Sequence, residues 1–162
     1  MAKEIQLTQG KIALVDDEDY EYLNQLKWFA DKAKNGKFYA VRKSIRINGK
    51  GINQKMHRMI FGNNLKSHID HINGDTLDNR RSNLRICTHQ QNMFNKPISK
   101  ANKSGYKGVC FINSNKMYRA SISINKKTIH IGNFYHAKQA AKAYNEAAIK
   151  YHGEFANLNK ID

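Results

Sequence analysis

The stretch His68-Ile-Asp-His-Ile-Asn-Gly-Asp-Thr-Leu-Asp-Asn-Arg-Arg-Ser-Asn-Leu-Arg-Ile-Cys-Thr-His-Gln-Gln-Asn92 organises the reading of this chain. It reads as strand, polar loop, strand and helix start. Asp70 and His71 close the first short strand. Residues 72–83 form a turn-rich loop, broken at Asn73-Gly74 and Asp78-Asn79. Leu84-Arg85-Ile86-Cys87 alternates apolar with polar, as a half-buried strand does. Thr88 followed by Gln91 is a capping box, in which each side chain reaches the other residue's backbone N–H, so a helix is expected to start there. Asn92 then falls in its first turn, and Pro97 bars it from running much further.

The residue types suggest a chemistry. Asp70 offers carboxylate oxygens and Asn92 an amide oxygen, hard donors suited to Mg²⁺, which keeps several waters and takes further oxygens from a phosphate. His71 has an imidazole whose ordinary pKa of about 6.5 suits it to take a proton from water near neutral pH. Successive strand residues point to opposite faces, so Asp70 and His71 need a bend at the strand end to converge on one phosphate. The loop is expected to supply it.

Asp-His, an Asn twelve residues after that His (Asn83) and another twenty-one after it (Asn92) resemble the HNH endonucleases of ββα-metal fold, in particular the phage and intron-encoded homing branch. The resemblance implies that His71 activates water while Asp70 and Asn92 hold one divalent metal on the scissile phosphate. Asn83 would brace the loop and keep His71 oriented. With Asn92 rather than His at the third signature position, magnesium (or manganese) is favoured over zinc.

Charge supports a nucleic-acid partner. The 162-residue chain carries a net +15, unevenly placed. Residues 1–31 hold three lysines against seven acids, a net −4, so the remainder holds +19. A basic excess with ordinary apolar content is the electrostatic footprint of a nucleic-acid binder. No amphipathic basic helix, apolar run of spanning length or signal-peptide pattern points to a membrane, so an intracellular protein is expected, in a bacterial or phage-infected cell. Cys87 and Cys110 lie far apart in strand-like stretches and make neither a disulfide framework nor a CxxC zinc motif.

Ahead of the tract, residues 5–15 suggest two short strands around Gln9-Gly10. Asp16 is placed to cap a helix over 17–27 whose acids lie in its first turn, where the helix dipole favours them. Trp28 and Phe29 are expected to finish this small core. Tyr39, Val41, Ile45 and Ile47 share one strand face opposite Arg42, Ser44 and Arg46; Asn48-Gly49 signals a turn, and residues 52–56 can return as the partner strand. A short helix over 57–61 is expected to end at Gly62. Its Met-His-Arg start is also common in the nuclease branch. Arg42, Arg46, Arg58, Arg80, Arg81 and Arg85 are candidate phosphate contacts, with simple solvation of a surface face equally open for the first three.

Residues 96–104 are polar and basic, carry the only proline, and suggest a linker over 97–103. Strands then follow at about 107–111, 118–124 and 128–131, the last broken by Gly132-Asn133. A helix from about Ala137 to Tyr151 ends at Gly153. Ala137, Ala140, Ala141, Tyr144, Ala147, Ala148 and Tyr151 make its apolar stripe, and alanine lets the helix lie close on a sheet. The other sheet face, with Arg119, Ser121, Ser123, Thr128 and His130, is polar.

Tyr106-Lys107-Gly108-Val109, Arg119-Ala120-Ser121-Ile122, Ile131-Gly132-Asn133-Phe134, Ala140-Ala141-Lys142-Ala143-Tyr144 and Ala156-Asn157-Leu158-Asn159 resemble an AP2 DNA-binding domain. In that family a three-stranded sheet enters the major groove, whose edges distinguish all four base pairs. The resemblance makes Lys107, Ser121, Ser123, Thr128 and His130 candidate DNA contacts, and Arg119 is a further candidate from its place on the uncovered sheet face. Cys110, Ser121 and His130 replace an Arg, a Glu and a Trp of the plant pattern, so the plant target sequence is not carried over.

The expected protein is therefore of α+β class. A ββα-metal HNH unit with a small N-terminal α/β lobe (1–96) is followed by the linker and by an AP2-type three-stranded antiparallel sheet packed on one helix (104–162). It is expected to cut double-stranded DNA as a monomer. Two other classes stay open at this point: a non-catalytic DNA-binding regulator, and a protein that binds or cleaves RNA.

Overall fold

A computed structural model describes residues 1–43, 51, 53–62, 66–99 and 101–161. The chain forms two compact units, residues 1–88 and 89–162. The architecture is mixed α and β, with small antiparallel sheets and few helices among the described residues.

In the first unit, β1 (Ala2–Gln6) and β2 (Ile12–Asp16) pair antiparallel with Ile5 opposite Ala13. Alternation sends Ile5, Ala13 and Val15 inward, where they meet Leu23, Trp28, Ala30, Ala40 and Met56 in one core. Burying a side chain such as Leu23 or Met56 contributes about 1.5–3 kcal/mol each. Helix α1 (Asp17–Asn24) stops three residues short of the expected Lys27. The Leu23 carbonyl accepts from the Leu26 backbone N–H and from Trp28 Nε1 at 2.8 Å, so a tertiary bond takes the place of the next helical turn. Asp16 precedes the helix, but its side chain makes no cap bond there; it accepts the Arg81 backbone N–H at 2.6 Å instead.

Strands β3 (Phe29–Lys32), β4 (Phe38–Lys43) and β5 (Asn53–Lys55) form a sheet in that order. The turn expected at Asn48-Gly49, the strand positions 44–47 and Arg46 fall outside the described residues. Helix α2 (Met56–Ile60) turns Met56 and His57 inward. β6 (His68–His71) and β7 (Leu84–Cys87) then pair antiparallel, with Asp70 opposite Arg85 and His71 opposite Leu84. These are the two strands expected around the polar loop.

The second unit begins with α3 (His89–Phe94), directly after Thr88. The Phe94 ring stacks on His152 at 3.6 Å and 12°, and Asn157 Nδ2 donates to the Asn95 carbonyl at 2.9 Å. Those contacts explain why α3 groups with residues that follow it. Strands β8 (Val109–Ile112), β9 (Met117–Ile124) and β10 (Lys127–Phe134) form an antiparallel sheet with β9 central. Gly132-Asn133 does not end the third strand, as the sequence suggested. The register shifts between His130 and Gly132 and the strand continues to Phe134, as glycine permits at a bulge.

Helix α4 (Ala137–His152) covers one sheet face through Ala140, Ala141, Tyr144 and Ala148. Its last buried position is His152, four residues after Ala148, and Tyr151 is exposed, contrary to the expected stripe. Gly108 marks how close the packing is: at φ +73, a Cβ there would fall 2.0 Å from the Tyr144 ring.

Candidate active site

Asp70 and His71 end β6 and are both buried, at 6% and 5% exposure. Pairing across β6 and β7 places Arg85 beside Asp70, and its Nε and Nη2 donate to Asp70 Oδ2 at 3.0 and 2.8 Å. A buried carboxylate needs such a partner, because desolvation penalises an isolated charge.

The loop after β6 is closed by asparagine. The Ile72 N–H donates to the Asn83 carbonyl at 2.8 Å, and the Asn73 N–H to Asn83 Oδ1 at 2.9 Å. Asn83 Nδ2 donates to the Asp78 carbonyl at 2.8 Å, so this side chain ties the start of the loop to its far arm. Gly74, at φ +76, turns back to donate to the His71 carbonyl at 2.9 Å.

The N-terminal lobe holds the loop from outside. Leu14 donates to the Leu77 carbonyl at 2.9 Å and accepts from the Asn79 N–H at 2.7 Å. Lys37 Nζ donates to the Gly74 carbonyl at 2.7 Å, and the Thr76 hydroxyl donates to the Phe38 carbonyl. Arg81 pairs with Asp19 at 2.8 and 2.7 Å and with Glu18 at 2.6 Å.

Around the His71 imidazole, the His57 ring stands edge-on at 4.9 Å and 89°, and the Tyr39 ring lies at 6.4 Å. His71 Nε2 faces Asn79 Oδ1 at 3.4 Å. Burial pushes His71 below its ordinary pKa, and burial together with the nearby charges of Lys55 and Arg58 pushes His57 down to about 3. Both are therefore neutral at neutral pH, the state in which an imidazole can accept a proton. Sequence reading did not assign roles to His57, Tyr39 or Asn79. The Met-His-Arg start of α2 was the one available signal.

The remaining candidates fall in different settings. Asn92 lies on α3 in the second unit, and the sequence tract alone ties it to Asp70. Arg80 chelates Asp78 at 2.7 and 2.6 Å, which holds the Asp78 carboxyl below the usual range. Arg81 and Arg85 likewise have internal carboxylate partners, Arg85 half-buried and Arg80 and Arg81 about two-fifths exposed. Arg42 is half-buried on β4, and Arg58 donates to the Ser67 carbonyl. Lys107, an expected DNA contact, is engaged within the second unit. Its half-buried ammonium donates to the Phe94 carbonyl and, at 2.6 Å, to that of Lys96, capping the end of α3, and burial lowers its pKa to about 8. Arg119, Ser123, Thr128 and His130 are exposed on the uncovered sheet face with half-buried Ser121. Ser123 and Thr128 hydroxyls lie 3.3 Å apart across the strands.

Among the described residues, no three His, Cys, Asp or Glu side chains converge as a metal cluster. The donors named by the sequence, one carboxylate and one amide oxygen, are hard and few, and they fit a cation that keeps most of its own water. No helix among the described residues is long and apolar enough to cross a membrane.

Comparison with known proteins bears on the same tract. The family model for HNH endonucleases matches residues 55–94, which include α2, β6, the loop, β7 and α3. A protein of Acanthamoeba polyphaga mimivirus, named an uncharacterized HNH endonuclease, is 34% identical over 160 residues, covering 95% of this chain and 78% of that protein. Protein 3.8 of Escherichia phage T7 is 33% identical over 60 residues, covering 37% of this chain and half of that protein. HNH nucleases generally depend on a divalent metal and act on DNA. With a match spanning nearly the whole chain added to the tract itself, the chain belongs to the HNH endonuclease family.

Proposed function

We propose that this nuclease hydrolyses a phosphodiester of double-stranded DNA with His71 as general base and with Asp70 and Asn92 as ligands of one Mg²⁺ or Mn²⁺. The observation that carries the reading is the buried Asp70-His71 pair at the end of β6, inside the span matched by the family model. Bound there, a divalent cation would neutralise charge developing on the phosphate. His71, kept neutral by burial, takes the proton from the attacking water, and Asn83 keeps the loop that carries it in shape. Arg85 holds the Asp70 carboxylate in place on the sheet.

The second unit is proposed as an AP2-type anchor. Its support is the set of residue matches from Tyr106 to Asn159, together with a polar sheet face left uncovered by α4. Arg119, Ser121, Ser123, Thr128 and His130 would meet the major groove, with Arg42 and Arg58 as phosphate contacts of the first unit. An anchor of this kind raises the effective concentration of the nuclease on nearby DNA. The viral sources of both relatives fit a homing-type enzyme inside an infected cell. The enzyme is proposed to act as a monomer.

Single-turnover cleavage of plasmid DNA and of structured RNA, with Mg²⁺ or with EDTA, tests the reading. His71→Ala should lose about 10²–10⁴-fold in rate while still shifting DNA in a gel with Ca²⁺. Asp70→Ala should need more Mg²⁺ for whatever activity remains. A near-normal rate for His71→Ala, or an unchanged metal requirement for Asp70→Ala, would sink the assignment.

A further inference from the structure

Helix α3 ends at Phe94, and Pro97 follows three residues later. Proline has no backbone N–H, so it cannot supply a closing bond to the Phe94 carbonyl. Two side chains from the far end of the second unit take its place. Lys107 Nζ donates to the carbonyls of Phe94 and, at 2.6 Å, Lys96. Asn157 Nδ2 donates to that of Asn95 at 2.9 Å and to that of Lys96 at 3.3 Å. Three successive carbonyls thus accept from outside the helix. The Phe94 ring lies flat against His152, whose Nε2 donates to the Ser123 carbonyl on β9 at 3.1 Å.

This clasp has a fixed base. The Lys107 backbone N–H donates to Asn159 Oδ1 at 2.6 Å, and its carbonyl accepts from Asn159 Nδ2 at 3.0 Å. The Asn159 backbone makes the same pair of bonds with the Asn145 side chain on α4, at 2.8 and 2.9 Å. Two amides in series therefore tie Lys107 to α4, and Lys107 ties α4 to the end of α3. An ammonium that served phosphate would keep its water; this one is half-buried, and burial lowers its pKa to about 8. Asn92 sits on the same six-residue helix, two residues before Phe94. Helices shorter than roughly 12–15 residues are marginal alone in water, so the place of α3 is set by what it is fastened to.

We propose that Lys107 and Asn157 are positioning residues for the nuclease reaction: by holding the end of α3 they set the helix that carries Asn92. The second unit thereby places a metal ligand as well as presenting a face to DNA. The proposal rests on the reading of Asn92 as that ligand and adds the residues that place it. Neither Lys107 nor Asn157 touches metal or substrate in this scheme; both act only through the α3 backbone.

The test uses the full-length chain and three readouts: hydrogen exchange, Mn²⁺ binding followed by the EPR signal of the free ion, and single-turnover cleavage against Mg²⁺. In Lys107→Met, exchange should quicken in residues 89–96 and stay at the wild-type rate in β9 and α4, which reports the second unit as still folded. Mn²⁺ affinity should fall about 10–100-fold, the usual cost of losing a partner that orients a metal ligand. Half-saturating Mg²⁺ for cleavage should rise in step, and excess Mg²⁺ should restore most of the rate. A merely structural lesion would lower the rate at every Mg²⁺ concentration. DNA affinity in Ca²⁺ and its salt dependence should stay as in the wild type. Asn157→Asp keeps the shape but puts an oxygen where Nδ2 donated, so it should move exchange and metal affinity the same way.

Asn92→Ala separates the two readings. Unchanged Mn²⁺ affinity in that variant would overturn the ligand assignment itself. Weakened binding there, with wild-type Mn²⁺ affinity in both Lys107→Met and Asn157→Asp, would overturn the positioning proposal and leave the ligand in place. DNA affinity lost in Lys107→Met, with a salt slope shallower by about one, would return Lys107 to the phosphate contacts and overturn the proposal as well. If Lys107→Met loses protection in β9 and α4 too, Asn157→Asp decides alone.

Discussion

The loop over residues 72–83 and the sheet of the second unit are both built on short antiparallel strands, yet different forces hold them. The loop has almost no apolar filling. Its order comes from Asn73, Asp78, Asn79 and Asn83, whose side chains bond to backbone groups and to one another. The sheet of β8 to β10 is held by small apolar side chains, with Ala120, Ala140, Ala141 and Ala148 fully buried between strand and helix. Hydrogen-bond order is directional and fails when one partner is lost, because the other is left buried and unmatched. Alanine packing is directionless and fails when volume is added. A site that must hold an imidazole at a fixed angle benefits from the first; a face that only has to stay presented is well served by the second.

The largest expected effect tests the loop. Asn83→Ala removes partners from the Asn73 N–H and the Asp78 carbonyl, at about 1–3 kcal/mol for each group left unmatched. Urea titration should show that loss, and cleavage should fall further than the folded fraction does. Stability within 0.5 kcal/mol of wild type, a margin typical of neutral surface changes of about that size, would mean that water replaces the amide and that the loop is not brittle.

Gly108→Ala probes the sheet in the opposite way, by adding volume. The new methyl would meet the Tyr144 ring and would sit at φ +73, so a loss of about 1–3 kcal/mol is expected. Here DNA affinity should track the folded fraction alone. Affinity lost beyond that fraction would show that the second unit's face is as sensitive to local geometry as the loop.

Acid separates the two regions next. His57 has a folded pKa of about 3 against an ordinary value near 6.5, so between these limits the unfolded chain binds more protons than the folded one. Its contribution to stability is complete above about pH 6.5 and is lost as pH falls towards 3, at about 1.4 kcal/mol per pH unit. Replacing His57 with Gln should flatten that slope in thermal melts. An unchanged slope would assign the acid sensitivity elsewhere.

The smallest effect is expected at the rim. Arg81 is two-fifths exposed, so Arg81→Met should cost no more than about 1 kcal/mol despite its bonds to Asp19 and Glu18, and less in high salt. A larger, salt-insensitive cost would show that the acidic start of α1 is part of the loop's structure rather than its solvated neighbour.

Much of this fold was legible because its periodicities are clean. Alternation in Leu84–Cys87 and Met117–Ile124 marked two strands, and Thr88 with Pro97 bounded α3. What escaped was set by tertiary partners that no local window contains. The Asp16 side chain went to Arg81, sixty-five residues away, rather than to its own helix. The Leu23 carbonyl was taken by Trp28, which shortened α1. Gly132 looked like a stop and is a bulge, because the neighbouring strand continues to supply partners. At the candidate site, the spacing pointed to Asp70, His71 and Asn83. It did not point to His57 or Asn79, since their place beside the imidazole comes from α2 and β2 folding against the loop.

The anchoring of that loop has a consequence for how such nucleases can spread or be rebuilt. The segment matched by the family model begins at residue 55, yet its loop leans on Leu14, Asp16, Lys37 and Phe38. A cassette cut at the edges of the recognisable motif and grafted into a foreign host protein would carry every signature residue and leave those bonds unmade. The transplantable part is therefore larger than the recognisable one, and a chimaera that kept β2 to β4 (residues 12–43) together with the motif would carry all four supports.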